Sequence, residues 1–214
     1  MNKKAIIASV IALLVLVAAT LMYKSAQESS QNQAARESAS ELVRPYSPMK
    51  GSKDAKVTIV EFLDPACETC RQFYPFVKNI LKSKPGKVNL VVRHAPFHQG
   101  SDVMVLILEA AKEQGKYWQT LEVMLKEQAN WTEHHRAQPE KIWKYLAPLG
   151  LDLDKLREDM KKPEIVQRVQ QDIADTMGLK VTKTPGFFVN GQPLTKFGYQ
   201  TLKDLIESEI SKNY

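Results

Sequence analysis

The chain has 214 residues, a formal net charge of +6 and 43% hydrophobic residues, the composition of an ordinary globular protein. This excludes a collagen-like, fully disordered or disulfide-dense chain, and a mean hydropathy of −0.33 leaves room for one membrane span at most. Basic and acidic residues are interleaved, and half of the net charge falls in the first 50 residues, so nucleic acid is not an expected partner.

Met1 to Lys4 is short and basic, and the 19 residues 5–23 (AIIASVIALLVLVAATLMY) carry no charge. As a helix they span about 28 Å, close to the hydrocarbon core of a bilayer. Residues 1–23 therefore read as an uncleaved transmembrane signal anchor, with Lys3 and Lys4 in the cytoplasm. The competing reading is a signal peptide with Val17-Ala18-Ala19 as its cleavage site, leaving a soluble periplasmic protein. Either way, the remaining chain faces the periplasm or the cell exterior. Residues 24–49, rich in Ser, Gln, Ala and Glu, cannot bury enough apolar surface to offset chain entropy. They read as a flexible linker before a domain over residues 50–214.

Lys56–Phe62 (KVTIVEF) is a predicted strand, and Cys67–Lys82 a predicted helix interrupted by Pro75. Val88–Arg93 is a second strand, so the opening unit is strand, helix, strand, expected to form a parallel pair. A helical block follows over about residues 100–178. Its first helix is capped by Ser101 and stopped by Gly115, and the second covers Tyr117–Gln128. Pro139 opens a third that runs to Gly150, Asp152 caps a short fourth, and Pro163 opens a fifth with Ile165, Val166, Val169, Ile173 and Met177 as its apolar stripe. Gly186–Val189, Asn190-Gly191 and Pro193–Phe197 predict a β-hairpin, and Thr201–Lys212 a closing helix.

The two cysteines of the chain are Cys67 and Cys70, a single Cys-x-x-Cys at the junction of a strand and a helix N-terminus. Unpaired N–H groups and the helix dipole favour a thiolate at the first position; the second, one turn in, is more buried and gains less. That asymmetry suits dithiol–disulfide exchange, in which a low-pKa thiolate attacks and its neighbour resolves the mixed disulfide. A zinc site needs two further ligands, and His94, His98, His134 and His135 have no finger-like spacing to the cysteines, so no metal site is expected. A disulfide across so short a loop gains little loop entropy as a purely structural link. His94 and His98 follow the second strand, where either can approach the cysteines.

Val60-Glu61-Phe62, Cys67-Glu68-Thr69-Cys70 and Pro75 together resemble the thioredoxin-fold active site, with an acid six residues before the first cysteine and a proline eight after it. Thr184-Pro185 and the following Gly186–Gly191 segment resemble that family's cis-proline strand and hairpin. The 118 residues from Cys67 to Pro185 exceed the interval in plain thioredoxins, and a helical insertion at this place marks the DsbA-like thiol–disulfide oxidoreductases. Glu113–Trp118 is similar to a segment common in their helices. The resemblance covers roughly residues 48–212. It implies an α/β thioredoxin fold with an inserted all-helical subdomain, preceded here by the N-terminal anchor.

The resemblance also implies roles. Cys67 is the exposed nucleophile and Cys70 the resolving thiol, with no cofactor beyond their redox-active disulfide. Glu61, buried beneath the helix with a raised pKa, relays protons to Cys70, and Thr184 and cis Pro185 present backbone to an extended substrate. Partners are the thiols and disulfides of exported proteins. A membrane redox partner recharges the couple: a DsbB- or VKOR-like oxidase, or a DsbD-like reductant. One departure concerns tuning. Strongly oxidising members carry Pro-His where this chain has Glu68-Thr69, and the Glu68 charge, with Asp64 nearby, disfavours the Cys67 thiolate. A couple less oxidising than theirs is therefore expected. The competing function is a non-catalytic copper-binding or assembly factor using the same dithiol.

Overall fold

The structure, a computed structural model, describes residues 41–214 apart from His135, and Met22 alone of the preceding stretch. The expected anchor and nearly all of the expected linker lie outside the described residues. Among the described residues no helix is long and apolar enough to cross a membrane.

The elements run β1 (Met49–Gly51), β2 (Val57–Leu63), α1 (Glu68–Ser83) and β3 (Val88–His94), then the insertion: α2 (Ser101–Glu113), α3 (Tyr117–Lys126), α4 (Gln128–Trp131), β4 (Thr132–Glu133), β5 (Arg136–Ala137), α5 (Trp143–Leu146), α6 (Leu153–Asp159) and α7 (Pro163–Gly178). Strands β6 (Gly186–Val189) and β7 (Gln192–Pro193) and helix α8 (Tyr199–Asn213) complete the fold. The main sheet has the order β1-β3-β2-β6-β7. Strands β2 and β3 are parallel, in register from Val57 opposite Val88 to Leu63 opposite His94, while β1 and β6 join them antiparallel.

Side chains alternate across β2, and the alternation builds two cores. Ile59 and Leu63 face α1 and α8, in a core that continues into the insertion, while Val60 and Phe62 face the other way, toward Val91, Phe188 and Leu42. Helix α1 buries Cys70, Phe73, Tyr74 and Val77, one stripe at helical spacing, with Pro75 inside the helix. Glu68 in its first turn and Lys82 in its last suit the helix dipole.

The structure corrects the sequence expectations in several places. The folded unit begins at Glu41, not at residue 50. Leu42 is buried, Val92 N–H donates to Pro48 C=O across 3.0 Å, and β1 pairs with β3. Gly51 ends β1 at φ +108, where a Cβ would meet the Val88 carbonyl oxygen at 2.9 Å. Ser101 does not cap α2; Gly100 holds that position, and the buried Ser101 hydroxyl donates to Asp64 Oδ1 instead. The expected helix from Pro139 to Gly150 is broken into two 3-10 turns flanking α5, and β7 is only two residues long because Pro193 brings no N–H to the ladder.

Helix α7 carries the largest surprise. Its buried side is Ile165, Val169, Asp172, Asp175 and Thr176, whereas Ile173 and Met177 are 37% and 74% exposed. The second half of the helix turns two acids inward because Arg93 of β3 is fully buried opposite them. Arg93 Nε and Nη2 donate to Asp172 Oδ1 at 3.0 and 2.8 Å, and Nη2 also donates to Asp175. Arg44 makes a two-pronged contact with Asp175 at 2.8 and 2.6 Å, which fastens the entering chain to the same helix.

Candidate active site

Cys67 is the N-cap of α1, in extended conformation with no side-chain cap hydrogen bond, so its sulfur sits at the helix end where the first-turn N–H groups lack intrahelical partners. Both cysteines are free thiols. The nucleophile expected to be exposed is nearly covered, keeping 6% exposure, and Cys70 keeps none. As a thiol, Cys67 donates to the Thr184 carbonyl oxygen across 3.3 Å. The Thr184-Pro185 peptide bond is cis. Cys67 and Cys70, beyond the carboxyl end of β2, therefore meet Thr184 and Pro185, just before β6, although 117 residues separate Cys67 from Thr184.

The two sulfurs differ in their affinity for a proton. The Cys67 thiol is pulled down to about 5, first by a hydrogen bond from Cys70, against the upward push of burial. The Thr184 side chain and the N–H groups of Cys70 and Thr69 add to the pull. Burial and the neighbouring Cys67 and Glu61 push Cys70 well above the usual thiol value. Glu61 lies on β2 between Val92 of β3 and Phe187 of β6. It is fully buried, neither carboxylate oxygen has a hydrogen-bond partner among the described residues, and burial together with the Cys67 charge raises its pKa to about 8.

Glu68 is exposed, so solvent screens its charge beside Cys67. Asp64 is not the bare charge anticipated. It is fully buried, and its carboxylate accepts from the N–H groups of Ala66, Phe97 and His98 at 2.8–2.9 Å, from His98 Nδ1 at 2.6 Å and from the Ser101 hydroxyl. The hydrogen bond to Asp64 raises the pKa of His98, with smaller contributions from the charges of Asp64, Cys67 and Glu68. His94 points elsewhere, with Nδ1 3.0 Å from Asp172 Oδ2 and Nε2 2.9 Å from the Tyr117 hydroxyl. Trp131 is core, its Nε1 donating to Met124 C=O at 2.8 Å. Thr69, Val181, Pro185, Phe188, Leu194 and Phe197 line an open, largely apolar groove of about 770 Å³ beside Cys67. Among the described residues no group of three or more His, Cys, Asp and Glu side chains is placed to hold a metal ion.

Residues 44–208 match the thioredoxin family. The chain belongs to that family. Within it, the fold with its helical insertion is that of the DsbA-like thiol–disulfide oxidoreductases. A thioredoxin-like oxidoreductase from Silicibacter pomeroyi DSS-3 superposes with a TM-score of 0.70 at 26% identity, covering 82% of this chain and 98% of that one. Oxidised BdbD from Bacillus subtilis gives 0.68 at 24% identity over 78% of this chain and 94% of its own. A probable disulfide bond formation protein D from Bacillus anthracis is 30% identical over 76% of this chain and 77% of that protein. A sodium/proton antiporter NhaA from Herminiimonas arsenicoxydans is also 30% identical, over 68% of this chain, but the chain spans only 22% of that antiporter's length.

Sequence reasoning missed Gln128, which reaches from α4 to the turn before Cys67, and the Asp64–His98 pair. The signal for both is weak: a lone polar residue in a helix start, and an acid whose partners sit more than thirty positions away.

Proposed function

We propose that the protein exchanges thiols and disulfides on exported proteins outside the cytoplasmic membrane, with Cys67 as attacking sulfur and Cys70 as resolving sulfur. The observation that carries this reading is the opposite displacement of the two thiols, Cys67 down to about 5 and Cys70 upward. At neutral pH one sulfur is a nucleophile and a good leaving group, and the other holds its proton until needed.

In the reducing direction, the Cys67 thiolate attacks a substrate disulfide and releases one substrate thiolate, leaving a mixed disulfide. Glu61 takes the Cys70 proton, and Cys70 attacks Cys67 Sγ, closing the Cys67–Cys70 disulfide and freeing the second substrate thiolate. In the oxidising direction, a substrate thiolate attacks Cys67 Sγ, and Cys70 leaves and takes a proton from Glu61. A second substrate thiolate then completes the substrate disulfide and releases the Cys67 thiolate. A carboxyl with its pKa near 8 suits both directions. The chemistry needs no cofactor beyond the two sulfurs. A DsbB- or VKOR-like membrane oxidase, or a DsbD-like reductant, returns the couple to its starting state, and residues 1–23 hold the domain beside that partner. Thr184, with its carbonyl at Cys67, and Pro185 receive the extended segment around the substrate cysteine.

The test is insulin reduction and glutathione exchange by the full chain, with Cys67→Ser abolishing both and Cys70→Ser accumulating a mixed disulfide. Absence of exchange together with tight Cu(I) binding overturns the proposal.

A further inference from the structure

Gln128 opens the single-turn helix α4 and points inward, with 1% exposure. Its Nε2 donates to the Pro65 carbonyl at 2.7 Å and to the Cys67 carbonyl at 3.0 Å. Its Oε1 is buried with no hydrogen-bond partner among the described residues. The amide orientation is unambiguous, since both neighbours are carbonyl oxygens and only the NH₂ end can donate. An aliphatic side chain would avoid the cost of the stranded oxygen, so packing alone does not account for an amide here.

Pro65 and Cys67 flank Ala66 in the turn that delivers the chain into α1. From the strand side, Asp64 grips this turn: its carbonyl accepts from Cys67 N–H at 3.0 Å and its carboxylate from Ala66 N–H at 2.8 Å. From the opposite side, the helical insertion grips it through Gln128. The carbonyl oxygens of Pro65 and Cys67 are negative dipole ends within two residues of the reacting sulfur. The Gln128 amide binds both with its positive end and fixes the turn that sets Cys67 at the N-cap of α1, beside the unpaired N–H groups of the first helical turn.

We infer that Gln128 is a positioning residue through which the insertion stabilises the Cys67 thiolate and thereby biases the couple toward its dithiol form. The inference rests on reading Cys67 and Cys70 as an exchange couple. Glu61, His98 and Glu68 act on the same site from β2, the loop after β3 and α1, and all three stay in place in the test.

The experiment compares the full chain with its Gln128→Met variant, which keeps length and apolar packing and removes both donors. Ultraviolet thiolate absorbance gives the Cys67 titration, glutathione equilibration gives the disulfide-to-dithiol ratio, and the thermal midpoint reports folding. The Cys67 midpoint is expected to rise, and the ratio to shift toward disulfide by about three- to tenfold, the range of one neutral hydrogen bond. A folded variant with both quantities within about twofold of the parent overturns the inference. Should the variant fail to fold, the parent labelled at glutamine decides. The Gln128 side-chain amide resonances then move with the Cys67 titration, and resonances that stay fixed through it overturn the inference. A parent that does not exchange with glutathione defeats the oxidoreductase reading, and the thiolate titration still judges Gln128 by itself.

Discussion

The sulfur of Cys67 lies 3.3 Å from the carbonyl oxygen of Thr184, across the seam between the start of α1 and the loop that enters β6. Two segments far apart in the chain thus share one small patch of surface, and a partner that reaches the sulfur must also meet the Thr184 backbone. Beneath that patch lie Glu61 and Cys70, both fully buried. The electrostatics of the seam and of what supports it lead to four expected outcomes.

Glu61 couples proton movement to stability. Its folded pKa, about 8, exceeds the ordinary 4.5, so between those values unfolding releases a proton and stability falls as pH rises. Glu61→Gln removes this dependence. Its urea midpoint should exceed that of the parent at pH 9 by an amount worth roughly 3–5 kcal/mol, and should match the parent at pH 4. Equal midpoints at both pH values would show that Glu61 does not titrate late.

His98 supplies a cation held by Asp64 near Cys67 and Glu68. Because its folded pKa is raised, its stabilising contribution is full below the ordinary 6.5 and fades as pH climbs through the raised value. In a partly solvated site this is worth under about 1 kcal/mol. His98→Gln should raise the midpoint of Cys67 alkylation by iodoacetamide, since the thiolate loses a neighbouring positive charge. An unchanged alkylation profile would confine His98 to structure.

Arg93→Met removes the fully buried cation between Asp172 and Asp175, leaving Asp175 to Arg44 and Asp172 to His94 and Tyr46, and should cost about 3 kcal/mol in urea unfolding. The acid limb gives a second readout. Burial raises the pKa of Asp172, but His94 and Arg93 outweigh it and hold the carboxyl at about 2. The corresponding stability is present above pH 3.8 and is lost as pH falls toward 2. In the variant, acid unfolding should begin at higher pH.

Replacing Glu68-Thr69 by Pro-His should make the Cys67–Cys70 couple more oxidising, as judged by equilibration with glutathione. The change removes a negative charge beside the thiolate and adds an imidazole. Solvent screening of the exposed Glu68 limits the first effect, so most of the shift should come from the histidine. A couple that becomes no more oxidising refutes the reading of this dipeptide as a tuning element.

The parts legible in the sequence were those encoded by neighbours along the chain. Cys67 and Cys70 announce themselves by spacing, Glu61 through the resemblance to the thioredoxin-fold active site, and Asn190-Gly191 as a hairpin dipeptide whose two residues do adopt positive φ. The parallel β2–β3 pair followed from two β-branched runs bounded by turn residues and a single intervening helix. What stayed hidden depends on partners distant in sequence. Ile173 and Met177 fit a helical apolar stripe, yet α7 turns Asp172 and Asp175 inward, because a periodicity argument cannot see that Arg93 waits on β3. Ser101 looked like a cap because nothing local reveals that Asp64 takes its hydroxyl. Strand β1 is three residues in a Ser- and Pro-containing stretch, too short to show alternation. Gln128 is one polar residue among many until the turn at Pro65 is folded against it.

The sheet's outermost strands carry one more consequence. On one side β1 is three residues long and follows Pro48; on the other β7 is two residues long and ends on Pro193. Neither rim offers a run of free amides on which a stray chain can add itself, so the sheet is a poor template for fibril growth. Collisions of either rim with an unpaired strand end without propagation.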